Sequence, residues 1–288
     1  MEDYSIVLRG GGVTVELAPD GELCLLENGT EGFGRVDGVV TLAEYALSGG
    51  GYPVSRHVSR REIVLTAEVR AAAGTAAFTD LRARLLRLMD PLTDVELTAD
   101  MGAGERRIAL IPSGGGSVEI GHYREPVTAR LCFIAPDPYF AAVVPETVAF
   151  WDATPMLTFP LNLMAGAGTV SGYYGTTNAA RLRNPGDREC GYRLTLTAEN
   201  GQVQHPSVTL PGGTLSLRCT IGAGEHVVID TRPRTKTILV NGTPSLCFTP
   251  GSVFAGIPRG ASDMVLSAES GIQYLRAQLS FVPLYYGV

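Results

Sequence analysis

The sequence predicts a mainly β protein of two domains: a β-sandwich carrying one amphipathic helix, then a second, all-β sandwich. Three observations carry this. The chain has 288 residues, and domains run to roughly 150. Its 35 glycines and 18 prolines, with only 18% charged residues, favour short strands and tight turns over helix bundles. Strand-like alternation recurs in both halves, whereas a helical stripe occurs in the first alone.

In the first half, alternation marks 4–8, 13–17, 36–42, 62–70, 95–99, 107–111 and 127–134. Between them, apolar residues at 77, 78, 81, 85, 88 and 89 keep the period of a helix over 76–89. Asp80, Arg82, Arg84 and Arg87 take the other face. Thr75 is placed to cap the start, and Asp90-Pro91 forces the end. Phe78, Leu81, Leu85 and Leu88 should therefore face the core. In the second half, turn signals such as Asn184-Pro185-Gly186, Asn200-Gly201 and Asn241-Gly242 separate strands expected at 191–198, 203–210, 214–221, 226–230, 235–240, 264–268 and 275–282. Such short turn-to-turn spacing belongs to a sandwich or jelly roll.

The stretch ARLCFIAPDPYFAAVVPE, 129–146, divides the halves. Its strand, with Leu131, Phe133 and Ala135 on one face, runs into Pro136, Asp137 and Pro138, which cannot continue a ladder. Tyr139 and Phe140 are expected to plug a domain junction. Pro136, Asp137, Pro138, Tyr139 and Phe140 are thus the junction candidates, between domains at 1–140 and 141–288.

Net charge is −6 and the isoelectric point about 5.3, so no basic footprint marks a nucleic-acid binder. The acidic start, Met1-Glu2-Asp3, lacks the apolar core of a signal peptide. No apolar run approaches the ~18 residues of a bilayer span, so membrane insertion is not expected. The five cysteines, at 24, 132, 190, 219 and 247, are odd in number and widely spaced. They read as reduced, mostly buried thiols of a protein assembled in a cytoplasm. Asn28 and Asn241 each open an Asn-Gly-Thr string and read as turn residues rather than glycan acceptors.

Little in the chain carries chemistry. The glycine-rich stretches at 10–12, 49–51, 114–116 and 166–168 are not followed by Lys-Ser or Lys-Thr, so they read as hairpin loops rather than phosphate cradles. His57, His122, His205 and His226 lack a second histidine or cysteine at ligand spacing, and no Gly-x-Ser-x-Gly elbow is present. The acid pairs Glu225/Asp230 and Asp263/Glu269 have the composition of glycosidase pairs. Pairs of this kind arise by chance among 29 acids. No catalytic residue, metal or cofactor is expected. Trp151, Tyr173 and Tyr174 leave a glycan-binding surface as the alternative, with a glycosidase behind it.

The order of features adds a resemblance. RREIVLTAEV (60–69), DLRARLLRLMDPLTDVELTAD (80–100), RRIALIPSG (106–114) and FIAPDPYF (133–140) follow one another, with NPGD (184–187) and IPRGASDMVLSAESG (257–271) in the second half. In this order the chain resembles the distal tail proteins of long-tailed phages, the siphovirus tail component family. The resemblance implies a ring-forming first domain and a galectin-like second one, with 284–288 returning to the first. It implies a structural virion protein assembled in the host cytoplasm: a homohexameric ring at the end of the tail tube. Its implied partners are the tail tube protein, the tail-associated hub protein and tape measure, and the receptor-binding protein, with DNA passing through the lumen unbound. The sugar-binding His-x-Asn-x-Arg string of true galectins is missing. For the ring contact, Arg56, Arg60 and Arg61 are the candidates, on an arm that follows the flexible 49–51.

Overall fold

The computed structural model describes residues 4–71, 75–118, 127–150, 152–155, 172–175 and 178–288. It divides into two compact units, Met1–Val143 with Leu284–Val288, and Val144–Pro283. Both are mainly β.

The first unit holds β1 (Ser5–Gly10), β2 (Val13–Leu17), β3 (Leu23–Glu31), β4 (Gly38–Glu44), β5 (Gly51–Val58) and β6 (Arg61–Val69). After the helix α1 (Ala76–Leu88) come β7 (Val95–Asp100), β8 (Arg106–Pro112), β9 (Ser117–Val118), β10 (Val127–Ala135) and β11 (Phe140–Ala142). All but β4 and β5 join one sheet in the order β11-β8-β7-β1-β2-β3-β6-β10-β9, with the terminal strand Leu284–Tyr285 outside β11. β8 also pairs with β10, through Phe133–Pro112 and Ile134–Ile111, so the sheet closes on itself. The layers expected of a sandwich are thus made from a single curled sheet.

Period-two patterning puts alternate residues inside. On β6, Ile63, Leu65 and Ala67 are buried, facing Phe133, Leu131 and Ala129 of β10 in register. The helix adds Phe78, Leu81, Leu85 and Leu88 to the same core as Ile6, Leu8, Leu17, Leu97 and Leu131. Thr75 caps it, its Oγ1 accepting from the Phe78 N–H at 3.2 Å.

Besides the two-residue β9 and the terminal strand, three strands here lie outside the expected set. β3 escapes the alternation because it is bulged between Leu25 and Thr30, where Asn28 is left-handed at φ 59°. A Cβ on Gly29 would stand 2.3 Å from the Thr66 carbonyl, so only glycine fits this bulge. β5 pairs with β4, so the arm expected after 49–51 is the second strand of a hairpin. β11 makes the third, and it moves the boundary: the Pro136–Pro138 bend ends β10 but returns the chain to β8, with Ala141 opposite Arg107. The first unit therefore runs to Val143.

The second unit contains β12 (Glu146–Ala149), β13 (Asp152–Pro155), β14 (Gly172–Gly175), β15 (Ala179–Asn184), β16 (Tyr192–Ala198), β17 (Val203–Gln204) and β18 (Ser207–Leu210). It continues with β19 (Gly213–Ser216), β20 (Thr220–Ile221), β21 (His226–Asp230), β22 (Thr237–Val240), β23 (Thr243–Pro244), β24 (Gly260–Ser267) and β25 (Leu275–Phe281). A six-stranded sheet, β12-β25-β16-β21-β22-β23, and a four-stranded one, β15-β24-β18-β19, each bury one face. Leu194 is flanked in register by Leu279 and Ile229, while Met264 and Leu266 line the inner side of β24. The strands expected at 203–210 and 214–221 are each broken in two. His205, left-handed at φ 45°, and Pro206 interrupt the first.

Candidate assembly surface

Sequence alternation rarely produces a strand pair with no core to serve, yet β4 and β5 are such a pair. They bond only to each other. From Gly38 to Val58 every residue is exposed except Ala43, which is half-buried. The hairpin is nonetheless rich in apolar side chains: Val39, Val40, Leu42, Tyr45, Leu47, Tyr52, Val54 and Val58 all face solvent. Leu42 is 65% exposed and Leu47, at the tip, fully so. The tip is closed by a hydrogen bond from the Tyr45 N–H to the Gly50 carbonyl at 3.1 Å, and the Tyr45 and Tyr52 rings meet at 5.5 Å. At the base, the Ser59 N–H donates to the Asp37 carbonyl at 3.0 Å. A two-stranded ribbon is marginal by itself in water, and a contiguous apolar surface of this kind marks an interaction site.

The three arginine candidates part company here. Arg56 lies on the hairpin, opposite Val40, and is exposed. Arg60 is exposed at the start of β6, with Glu62 at 3.5 Å. Arg61 is different: only 5% exposed, it is committed within its own unit. Its Nε donates to the Pro138 carbonyl at 2.6 Å and Nη1 to that of Gly34 at 3.0 Å. Further bonds run to the carbonyls of Gly32 and Tyr286. The guanidinium also stacks on the Phe140 ring, 5.0 Å from its centre. Burial pulls its pKa down, opposed by the charge of Asp37. The expectation that Arg61 reaches a neighbouring subunit is therefore corrected: its donors are spent on backbone carbonyls of its own unit.

The junction candidates converge on the same place. Pro136 and Asp137 are exposed and Pro138 and Tyr139 half-buried, with the Asp137 carboxylate accepting from the Tyr139 N–H at 3.4 Å. Phe140 is fully buried in the first unit's core, 5.9 Å from the Phe33 ring. Tyr139 meets the Tyr286 ring at 6.1 Å. Arg106 stacks on Tyr285 at 3.9 Å and donates to the Gly287 carbonyl. What reads in sequence as a junction plug is, in the structure, the seat of the terminal segment.

The acid pairs do not assemble into a site. Glu225 and Asp230 stand at opposite ends of β21, about 16 Å apart along a strand, well beyond the ~5–9.5 Å of glycosidase carboxylates. Glu225 caps the turn before β21, accepting from the Gly222 N–H at 2.8 Å, and Glu269 pairs with His205. Among the described residues no group of three or more His, Cys, Asp or Glu could hold a metal, and no helix is long and apolar enough to cross a membrane. Trp151, His122 and the 166–168 glycines lie outside the described residues. Tyr173 and Tyr174 lie on β14.

No family model and no curated protein matches the chain. Solved structures do. The Dit protein of phage SPP1, described as a paradigm of the hub adsorption apparatus in phages infecting Gram-positive hosts, is similar over 97% of this chain and 98% of its own, at 14% identity and a TM-score of 0.64. The chain has the fold of a phage distal tail protein. A chain of the phage P2 baseplate in its activated, calcium-bound conformation aligns over 98% of this chain and 97% of its own, at 11% identity and a TM-score of 0.47. The SPP1 likeness, over 97% of the chain, takes in both units.

Proposed function

We propose that the chain is a structural component of a phage tail, which assembles copies of itself into a hexameric ring joining the tail tube to the tail-tip hub. The observation that carries this is the bare β4–β5 hairpin, an element with its own hydrogen bonds but no core. On a distal-tail fold that takes in 97% of the chain, its natural cover is a neighbouring copy. In this reading the first unit forms the ring, the second is galectin-like and faces the periphery, and Arg56 and Arg60 make rim contacts. Tube protein, hub protein, tape measure and receptor-binding protein are the partners, and the virion tail is the location. An acidic chain suits a lumen through which DNA must slide without adhering.

Negative-stain imaging of the purified chain tests it: six-fold rings are expected. Leu42→Asp with Tyr52→Asp should yield folded monomers, because both side chains are already exposed and their loss leaves the unit's core intact. Rings that persist in the double variant would show that the hairpin is not the contact, and wild-type particles without rotational symmetry would overturn the ring itself.

A further inference from the structure

In the second unit two cysteines far apart in sequence meet across a pinned pair of chain segments. The segment following β23 runs antiparallel beside β19 and its continuation. The Arg218 N–H donates to the Cys247 carbonyl at 2.5 Å, Thr249 N–H to Ser216 at 2.8 Å, and Val253 N–H to Thr214 at 2.9 Å. Leu217 and Phe248 form an antiparallel bridge between them. The Ser252 hydroxyl accepts from the Ser216 N–H at 3.1 Å and donates to its carbonyl at 3.2 Å. On the other flank, the His205 N–H holds the Cys219 carbonyl at 3.0 Å.

Cys219 and Cys247 are one step off direct registry, which sets their Cα atoms about 6 Å apart, inside the ~4.4–6.8 Å range of disulfides. A regular ladder would turn them to opposite faces, but the backbone at 218–219 and 245–247 belongs to no strand. Their side chains are near enough for the Cys247 sulfur to raise the Cys219 pKa. Both are free and half-buried, unlike the buried Cys132 and Cys190. The adjoining Leu246 is 88% exposed, so a small reagent can reach them.

We propose that Cys219 and Cys247 are a modification site: a dithiol that a small disulfide, of the class of glutathione disulfide, converts to a cross-link. One thiol loses its proton, and its sulfur attacks the small disulfide and expels one glutathione thiolate. The second thiol then loses its proton, attacks the protein sulfur of that mixed disulfide and expels the other. One S–S bond forms and one breaks. Two electrons pass to the small disulfide, and the two released protons end on two glutathione thiols. Burial, with the neighbouring Cys247 sulfur behind it, pushes the Cys219 thiol up to about 12. Attack by Cys219 is therefore slow at neutral pH and quickens roughly tenfold per pH unit. The cross-link would tie the segment ahead of β24 to the sheet and close a loop spanning β20 to β23. Such an exchange would follow departure from a reducing cytoplasm. That timing, unlike the chemistry, rests on the tail-protein reading.

The test is incubation of the full chain with glutathione disulfide at mildly alkaline pH, followed by thiol titration under denaturing conditions and peptide mapping. Two of the five thiols should disappear with the loss of two hydrogens in mass, and the 219 and 247 peptides should be found linked. The melting temperature should rise, and a reductant should reverse the rise. Cys219→Ser and Cys247→Ser should each abolish that rise and leave the remaining thiol carrying one glutathione. Five surviving thiols, or stable glutathione adducts on both cysteines of the unmutated chain, would overturn the proposal whatever the fate of the ring.

Discussion

Arg61 shows how far one side chain can be misread from its neighbours in sequence. Set beside Arg60 and near Arg56, it belongs to a cluster that looks solvated, and its place on the inward side of β6 tells only half the story. The other half is four carbonyl groups, at 32, 34, 138 and 286, which no local pattern brings together. Arg61→Met should cost about 2 kcal/mol or more in chemical denaturation, since it removes a buried group that ties four carbonyls together, and Arg60→Met next to it should change stability by less than about 0.5 kcal/mol. Equal effects would mean that the carbonyl cluster is solvated. Asp230 offers a pH counterpart in the second unit. Burial raises its pKa, but the Arg232 side chain and N–H, with Nε and N each 3.0 Å from Oδ1, outweigh this and hold it below the ordinary value. A depressed carboxyl contributes stability above its unfolded pKa of about 4, and that contribution fades as pH falls through the folded value. The second unit should therefore weaken on acidification below about pH 4, and Arg232→Met should make that dependence shallower.

At the scale of elements, the helix was the most legible part of the chain. Its stripe, cap and stop are all local, and Phe78, Leu81, Leu85 and Leu88 are the residues it buries. Leu85→Ala should cost ~2–5 kcal/mol, seen as a lower melting temperature; a change within error would contradict its burial. Strands with clean alternation, such as β6, β7, β8, β10 and β16, were equally open to reading. The missed ones share a physical reason. β3 is bulged, β11 is three residues long and defined by its neighbours, and β5 has no buried face, so period two never develops in it. The one signal for β5 was local: Gly49-Gly50 between Tyr45 and Tyr52, a glycine-rich turn of the kind that joins hairpin strands. Hydrogen exchange should find the amides of 38–58 fast in monomers and slowed in rings. Equal rates in both states would remove the hairpin from the contact.

At the scale of the whole molecule, acids outnumber bases in the first unit while the two nearly balance in the second. Mean charge per chain conceals this, and so does any reading that stops at composition. The candidate surface was only partly legible at this scale: Arg56 and Arg60, which are exposed, could be named from sequence, whereas the apolar hairpin could not. The division into two kinds of half was visible from turn spacing, and the return of 284–288 to the first unit from the resemblance, but the first crossing was set at 140 rather than 143 because β11 is short and defined only by its neighbours. Removing 284–288 deprives β11 of its outer partner and Arg61 of one carbonyl. The first unit should lose stability and the second should not, with amides of 127–140 exchanging faster. Unchanged protection there would leave the terminal strand without a structural role.

The pairing of Phe140 with Tyr285 and of Ala141 with Leu284 has a last consequence. The chain leaves the first unit on one strand and re-enters on the strand beside it, so everything between is, in topology, the loop of a β-hairpin. A loop of that kind can be exchanged for another without disturbing the strands that hold it. Replacing 143–282 by Asn-Gly, the turn that two antiparallel strands favour, should leave a first unit that folds alone and melts cooperatively. The second unit would then be a cassette, free to vary between relatives while its socket is kept.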